Sequence, residues 1–235
     1  MPPRISSPVK AIIFDVDGTL YLQDHVRKAM LVRLFRAHLA HPVTGWRTAR
    51  ILQAYRRVQE EIRGHAVEGH VGSLQINLAA ERVGVDAAVV VACVARWMER
   101  EPLAILAASI QPGLVEFLEA SKARRIRLGA LSDYPVDAKL EALGVARFLD
   151  VALCAQDPAI DRFKPDPRGL LVALDRLGST ASETLYVGDR LDVDAPTAAA
   201  AGMRCVIVTR RAAPVGVESP LCVTDYFGLK TLLWG

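Results

Sequence analysis

Ala11-Ile12-Ile13-Phe14-Asp15-Val16-Asp17-Gly18-Thr19-Leu20 is the stretch from which the rest of the chain can be read. Four apolar residues in a row, ending abruptly in acids and a glycine, suit a strand buried on both faces of a parallel sheet. Further apolar runs lie at 126–131 (interrupted by Arg127), 151–154, 184–187 and 205–208. Between the later runs lie helical stretches at 114–123, 136–143, 168–177 and 197–201. This alternation predicts an α/β fold, a Rossmann-like parallel sheet with right-handed crossovers.

The rhythm breaks after the first strand. From residue 23 to 108 there is no strand-like run, but several helical patterns. Val26, Met30, Leu31, Leu34, Phe35, His38 and Leu39 fall on one helical stripe, and Ile51, Leu52, Tyr55, Val58 and Ile62 on another. Thr44 and Asp86 suit the N-cap positions of two of these helices. The expected organisation is an α/β core of residues 1–22 and 109–235, with a small all-helical domain inserted at 23–108.

In an open parallel sheet, ligands bind in the crevice at the carboxyl ends of the strands. Asp15, Asp17 and Thr19 follow the first run, Ser132 and Asp133 the second, and Asp189, Asp192 and Asp194 the fourth. The loop after the third carries Lys164 within Phe163-Lys164-Pro165-Asp166-Pro167. Carboxylates gathered at one edge repel one another unless a cation sits among them. Hard oxygen donors on an open site suit magnesium, and a lone lysine among them suits a phosphate. Together they outline a phosphoryl-transfer site. Taken singly, each residue has a plainer reading. Asp17-Gly18 is a turn signal, Ser132-Asp133 a helix cap ahead of Pro135, Asp194 a cap before Ala195-Pro196, and Lys164 a surface lysine.

Phe14-Asp15-Val16-Asp17-Gly18-Thr19-Leu20 resembles the first motif of the haloacid-dehalogenase superfamily. Leu131-Ser132 resembles its second, Lys164-Pro165 its third, and Gly188-Asp189-Arg190-Leu191-Asp192-Val193-Asp194 its fourth. The four occur in order across almost the whole chain, and the helical insert matches the helical-cap branch of phosphoglycolate phosphatase-like enzymes. The resemblance implies a magnesium-dependent phosphatase in which Asp15 is the nucleophile and Asp17 the general acid and base. Lys164 would hold the phosphate and the nucleophile, and Thr19, Ser132, Asp133 and Lys164 would contact the substrate. Asp189 would bind the metal with Asp15 and the carbonyl of Asp17, and Asp194 would support the metal's water shell or orient Lys164. Asp133 stands where the family often has Asn, and Asp192 has no implied role.

Other activities remain open at this point. Dehalogenases of the superfamily need no acid two residues after the nucleophile, so Asp17 disfavours that chemistry. A β-phosphoglucomutase-like phosphomutase shares the whole constellation and differs in its cap. A non-catalytic regulatory module would predict a damaged site. The inserted domain should select the substrate, a small phosphorylated metabolite. Candidate contacts are Tyr21 and Gln23 at its hinge and the polar stretch 64–75, with His65, Glu68, His70 and Ser73.

The bulk numbers agree with this reading. A formal charge of +3 over 235 residues does not suggest nucleic acid. Residues 27–63 nevertheless hold nine Lys or Arg against Glu60 and Glu61, a solvated helix face or a field that attracts anions. Cys93, Cys154, Cys205 and Cys222 form no CxxC pair and suit a reducing compartment. The first ten residues lack a signal-peptide core, and no apolar run is long enough to span a bilayer. The expectation is a cytoplasmic protein without membrane partners. An apolar stripe from Tyr226 to Trp234 reads as a helix docked on the core in a monomer, or as a homodimer contact if exposed.

Overall fold

The computed structural model describes residues 8–65, 68–209 and 221–235. Its centre is a parallel sheet of β1 (Ala11–Phe14), β2 (Arg127–Ser132), β3 (Val151–Cys154), β4 (Thr184–Gly188), β5 (Arg204–Val208) and β6 (Leu221–Val223). The strand order is β3-β2-β1-β4-β5-β6, every neighbouring pair parallel. All four residues of β1 are fully buried, as expected of a strand covered on both faces. The order reverses at β1, between β2 and β4, which is where such sheets open their binding crevice.

Alternate residues of the strands point into two apolar layers. On one face Phe14 packs edge-on against Phe117 of α6 (Leu114–Ala123), which stacks on Trp234 of α10 (Tyr226–Trp234) at 5.1 Å between ring centres. On the other, Ile13, Leu131 and Tyr186 meet α8 (Arg168–Leu177) and α9 (Asp194–Ala200). The predicted terminal helix is therefore docked on the core, with Tyr226 and Leu229 fully buried.

Between β1 and β2 the named elements among the described residues are all helical. The chain runs through α1 (Gln23–Ala37), α2 (Pro42–Ile62), α3 (Val71–Val83), α4 (Ala87–Val94), a wide π turn at Ala95–Arg100 and the short α5 (Leu103–Leu106). In the π turn the amide of Glu101 bonds the carbonyl of Arg96, five residues back. Ile51, Tyr55, Val58, Ala79 and Val90 join α2, α3 and α4 in an apolar cluster of their own. Asp86 caps α4 by accepting from the amide of Ala88 at 2.8 Å.

Four local expectations need correction. Helix α2 starts at Pro42, whose fixed φ suits a first turn, so Thr44 lies inside the helix. Helix α9 begins at Asp194, three residues before the expected start. Only the first part of the α1 stripe faces a core: Val26 and Met30 pack there, but Leu31, Phe35 and Leu39 are about two-thirds exposed. Neither Ser132 nor Asp133 caps α7 (Asp137–Ala142), because both are engaged elsewhere. Among the described residues no disulfide forms, and no helix is long and apolar enough to cross a membrane.

Candidate active site

The chain leaves β1 with one more sheet bond, from the amide of Asp15 to the carbonyl of Val187. Asp15 is 4% exposed. One of its oxygens accepts from Lys164 Nζ at 2.5 Å and the other from the Thr19 hydroxyl at 2.8 Å. Lys164 also donates to Asp194 Oδ1 at 2.8 Å, and the Tyr186 hydroxyl donates to the same oxygen at 2.9 Å. The other oxygen of Asp194 accepts from the amides of Asp189 and Arg190. Asp194 is thus the strut that fixes Lys164 from below.

Asp17 emerges two residues after Asp15 and is held by different partners. Lys139 Nζ reaches both of its oxygens, at 2.6 and 2.8 Å. The Ser132 hydroxyl donates to one of them at 2.9 Å, and the Tyr21 hydroxyl donates to the other. Gly18 follows at φ +108°, a region that side chains rarely adopt. A methyl group there would lie 2.2 Å from Asp189 Oδ2, so only glycine lets Asp189 approach.

One carboxylate oxygen each from Asp15, Asp189 and Asp194 lie within 4.8 Å of one another. Burial, opposed by Lys164, holds Asp15 well above the usual carboxylate range, and its acidic neighbours push the same way. Burial and then Asp194 raise Asp189 to about 7. Lys164 is raised despite its burial, because Asp15 and Asp194 favour the ammonium. Burial alone would raise Asp17 too, but Lys139, Tyr21 and Ser132 bring it below its ordinary value. Burial raises two members of this oxygen cluster, while against the same burial Lys164 holds the third, Asp194, below its ordinary value. Carboxylates crowded so closely, with Gly18 leaving room for Asp189, fit a hard divalent cation.

A cavity of about 410 Å³ opens above these groups, lined by Asp15, Asp17, Asp133, Lys164, Asp189 and Asp194 from the sheet side. Thr19 and Ser132 are fully buried beneath it and serve Asp15 and Asp17 instead of lining it. Asp133 spends its side chain on protein: one oxygen accepts from Gln59 and Arg63, the other from the amide of Lys164. Asp192 is exposed and paired with Arg190. Tyr21 and Gln23 line the cavity as expected at the hinge. His65, Glu68, His70 and Ser73 do not; His70 contacts the carbonyl of Gln156 and the amide of Ser73.

Sequence reasoning missed Lys139, Tyr186, Gln59, Arg63 and the Glu60–Arg190 pair, which spans the helical insertion and the sheet at 2.9 Å. Lys139 lies seven residues beyond Ser132 in a helix whose other charges are ordinary surface residues, so nothing in its local sequence marks it.

A profile described as haloacid dehalogenase-like hydrolase matches residues 9–202. A phosphoglycolate phosphatase of Rhodospirillum rubrum is 34% identical over 93% of this chain and 88% of its own. A glyceraldehyde 3-phosphate phosphatase of Methanopyrus kandleri is 29% identical over 86% and 84%. The crystal structure of a 2-haloacid dehalogenase from Pseudomonas syringae superposes with a TM-score of 0.67 at 24% identity, covering 95% of this chain and 97% of that one. At that identity the likeness speaks for the fold alone, whereas the profile spans most of the chain and both ends of the aspartate cluster. The protein belongs to the haloacid dehalogenase-like hydrolases.

Proposed function

We propose that the chain is a magnesium-dependent phosphatase that hydrolyses a small phosphorylated metabolite through an aspartyl-phosphate on Asp15. The observation that carries this reading is a pair of carboxylates two residues apart, each held by its own lysine but shifted in opposite directions, Asp15 upward by burial and Asp17, despite burial, downward by Lys139. Asp15 is gripped by Lys164 at the cavity floor, and Asp17 is held beside it by Lys139. Phosphatase relatives at 34% and 29% identity support the same chemistry.

In the first step an oxygen of Asp15 attacks phosphorus, the ester P–O bond breaks, and Asp17 gives its proton to the departing oxygen. In the second, water attacks phosphorus and passes a proton to Asp17, while the bond from phosphorus to Asp15 breaks and inorganic phosphate leaves. The first step needs Asp17 protonated and the second needs it ionised. Its ion pair with Lys139 favours the ionised form and so suits the water-activating step. Lys164 offsets charge on the phosphate and keeps the attacking oxygen aimed. Asp15, Asp189 and Asp194 are the residues that would hold magnesium, which when bound offsets the charge of the phosphoryl oxygens. Residues 23–108 act in this reading as a cap over a core of 1–22 and 109–235.

The test is phosphate release from p-nitrophenyl phosphate, with and without magnesium, by the native chain and by Asp15→Asn. Magnesium-dependent release that disappears in the variant is expected. Equal release by both proteins would remove Asp15 as nucleophile, and no release from this or any other phosphate ester would end the phosphatase reading.

A further inference from the structure

The cavity has two ends of different chemistry. Its floor carries the carboxylates and Lys164, while its far wall is built from Met30, Leu34, Leu52, Val94, Trp97 and Met98. The helices give the direction. Gln23 at the foot of α1 donates to the carbonyl of Asp17 at 3.4 Å, and Leu34 stands eleven residues further along the same helix. At about 1.5 Å of rise per residue that is about 16 Å from the foot. On α2, Gln59 bonds Asp133 and Leu52 lies about two turns away from it, toward the far end.

Part of this wall borders the apolar cores: Met30 packs against the cluster on one face of the sheet, and Val94 and Met98 against that of α2, α3 and α4. Leu34 and Leu52 are only half-buried, and among the described residues neither joins an apolar cluster of the fold. Their apolar surface is spent on lining the cavity. Val94, Trp97 and Met98 come from the junction of α4 with the π turn, a departure from α-helical geometry that recurs at functional sites. Trp97 is held in place by the His38 ring at 5.6 Å and by the Arg96 guanidinium at 4.8 Å. The charged residues at this end, Arg27 and Arg56, are exposed and Glu99 is half-buried, so none is a fully buried partner for a hydroxyl.

We infer that the organic part of the substrate is apolar: the site takes phosphate monoesters of an alkyl or aryl alcohol in preference to short polar acids and sugars. The inference rests on the phosphatase reading for its chemistry and deepens it by naming the leaving group. A sugar placed here would give up water from several hydroxyls and meet leucine, methionine and tryptophan in return. An alkyl or aromatic group loses nothing by the exchange and gains burial. The ester oxygen stays at the polar floor, within reach of Asp17, while the apolar tail runs up between α1, α2 and the π turn.

The experiment is kcat/KM for n-alkyl phosphates from ethyl to octyl, beside phosphoglycolate and glucose 6-phosphate. Each methylene that enters the wall should raise kcat/KM about fourfold until the lobe is full. Leu34→Gln and Leu52→Gln should lower the octyl-to-ethyl ratio about tenfold or more. Leu39→Gln, on exposed surface outside the cavity, should keep that ratio. A flat or falling series, or a preference for phosphoglycolate or glucose 6-phosphate, overturns the inference while leaving the phosphatase standing. If no ester is turned over, the phosphatase reading fails, and calorimetry with the matching alkyl phosphonates decides the cavity question. Tighter binding of longer phosphonates then supports an apolar lobe, and equal or absent binding overturns it.

Discussion

Lys139 meets both oxygens of Asp17, and the two residues lie 122 positions apart in the chain. Replacing Asp17 by Asn should cost about 10²–10⁴-fold in kcat, the usual size of a proton-transfer contribution. Lys139→Met should do something different. Burial, no longer opposed by the ammonium, moves Asp17 upward, so both limbs of the kcat–pH profile shift to higher pH. An unshifted profile in that variant would show that Lys139 does not set the proton affinity of Asp17. Asp189 supplies a second test. Its folded-state value of about 7 lies above the unfolded 3.8, so the metal-free fold binds a proton that the unfolded chain releases. Stability should then fall as pH rises between those values and level off above the higher one. Magnesium competes with that proton, so its stabilising effect in thermal melts should be larger at about pH 8 than at about pH 6. Equal shifts at both pH values would place the ion elsewhere. Asp15, Asp17, Lys164, Asp189 and Asp194 were legible because each directly follows a strand or sits in the loop after one, and strand ends converge by topology. Lys139, Gln59 and Arg63 were not, because their approach depends on how α7 and α2 pack over the sheet, which no local pattern encodes.

Elements followed their apolar patterns where both faces are covered, and departed from them at the margins. Helices α6 and α8 and strands β1 and β3 have the bounds their patterns predict, because each presents its apolar residues to a neighbour on the sheet. Strand β6 was missed: its three residues are half-buried at the sheet edge, too few for a pattern. Helix α1 misled in the other direction, since an amphipathic stripe does not say whether anything lies opposite it. In the interior the strongest test is Phe117, fully buried against Phe14, Tyr226 and Trp234. Phe117→Ala removes the ring that joins α6 to β1 and α10, and should cost about 3–5 kcal/mol in denaturant unfolding. A loss below about 1 kcal/mol would mean that α10 contributes little to the fold.

Across the whole molecule, the helical insertion and the sheet are tied together by charge at the mouth of the cavity. Glu60 meets Arg190 in a half-exposed pair, and Arg63 meets Asp133 in one nearly closed to solvent. Salt should loosen the first far more than the second, since screening acts through water and the Debye length falls from about 10 Å at 0.1 M to about 3 Å at 1 M. Hydrogen exchange at the carboxyl end of α2 should therefore quicken with salt in the native chain. In Glu60→Gln it should be faster from the outset and respond less. Salt-independent exchange in both would show that these charges do not hold the mouth. The inner pair has a further effect. The same Arg63 nitrogen that donates to Asp133 also donates, at 2.6 Å, to the backbone carbonyl of Lys164, whose amide is anchored on Asp133. Swinging the insertion away would pull on the loop that presents the Lys164 ammonium to Asp15. If Asp15 is the nucleophile proposed above, the arrangement would work as an interlock, as on a machine that will not run with its door open: Asp15 would be fully armed only while bulk solvent is shut out.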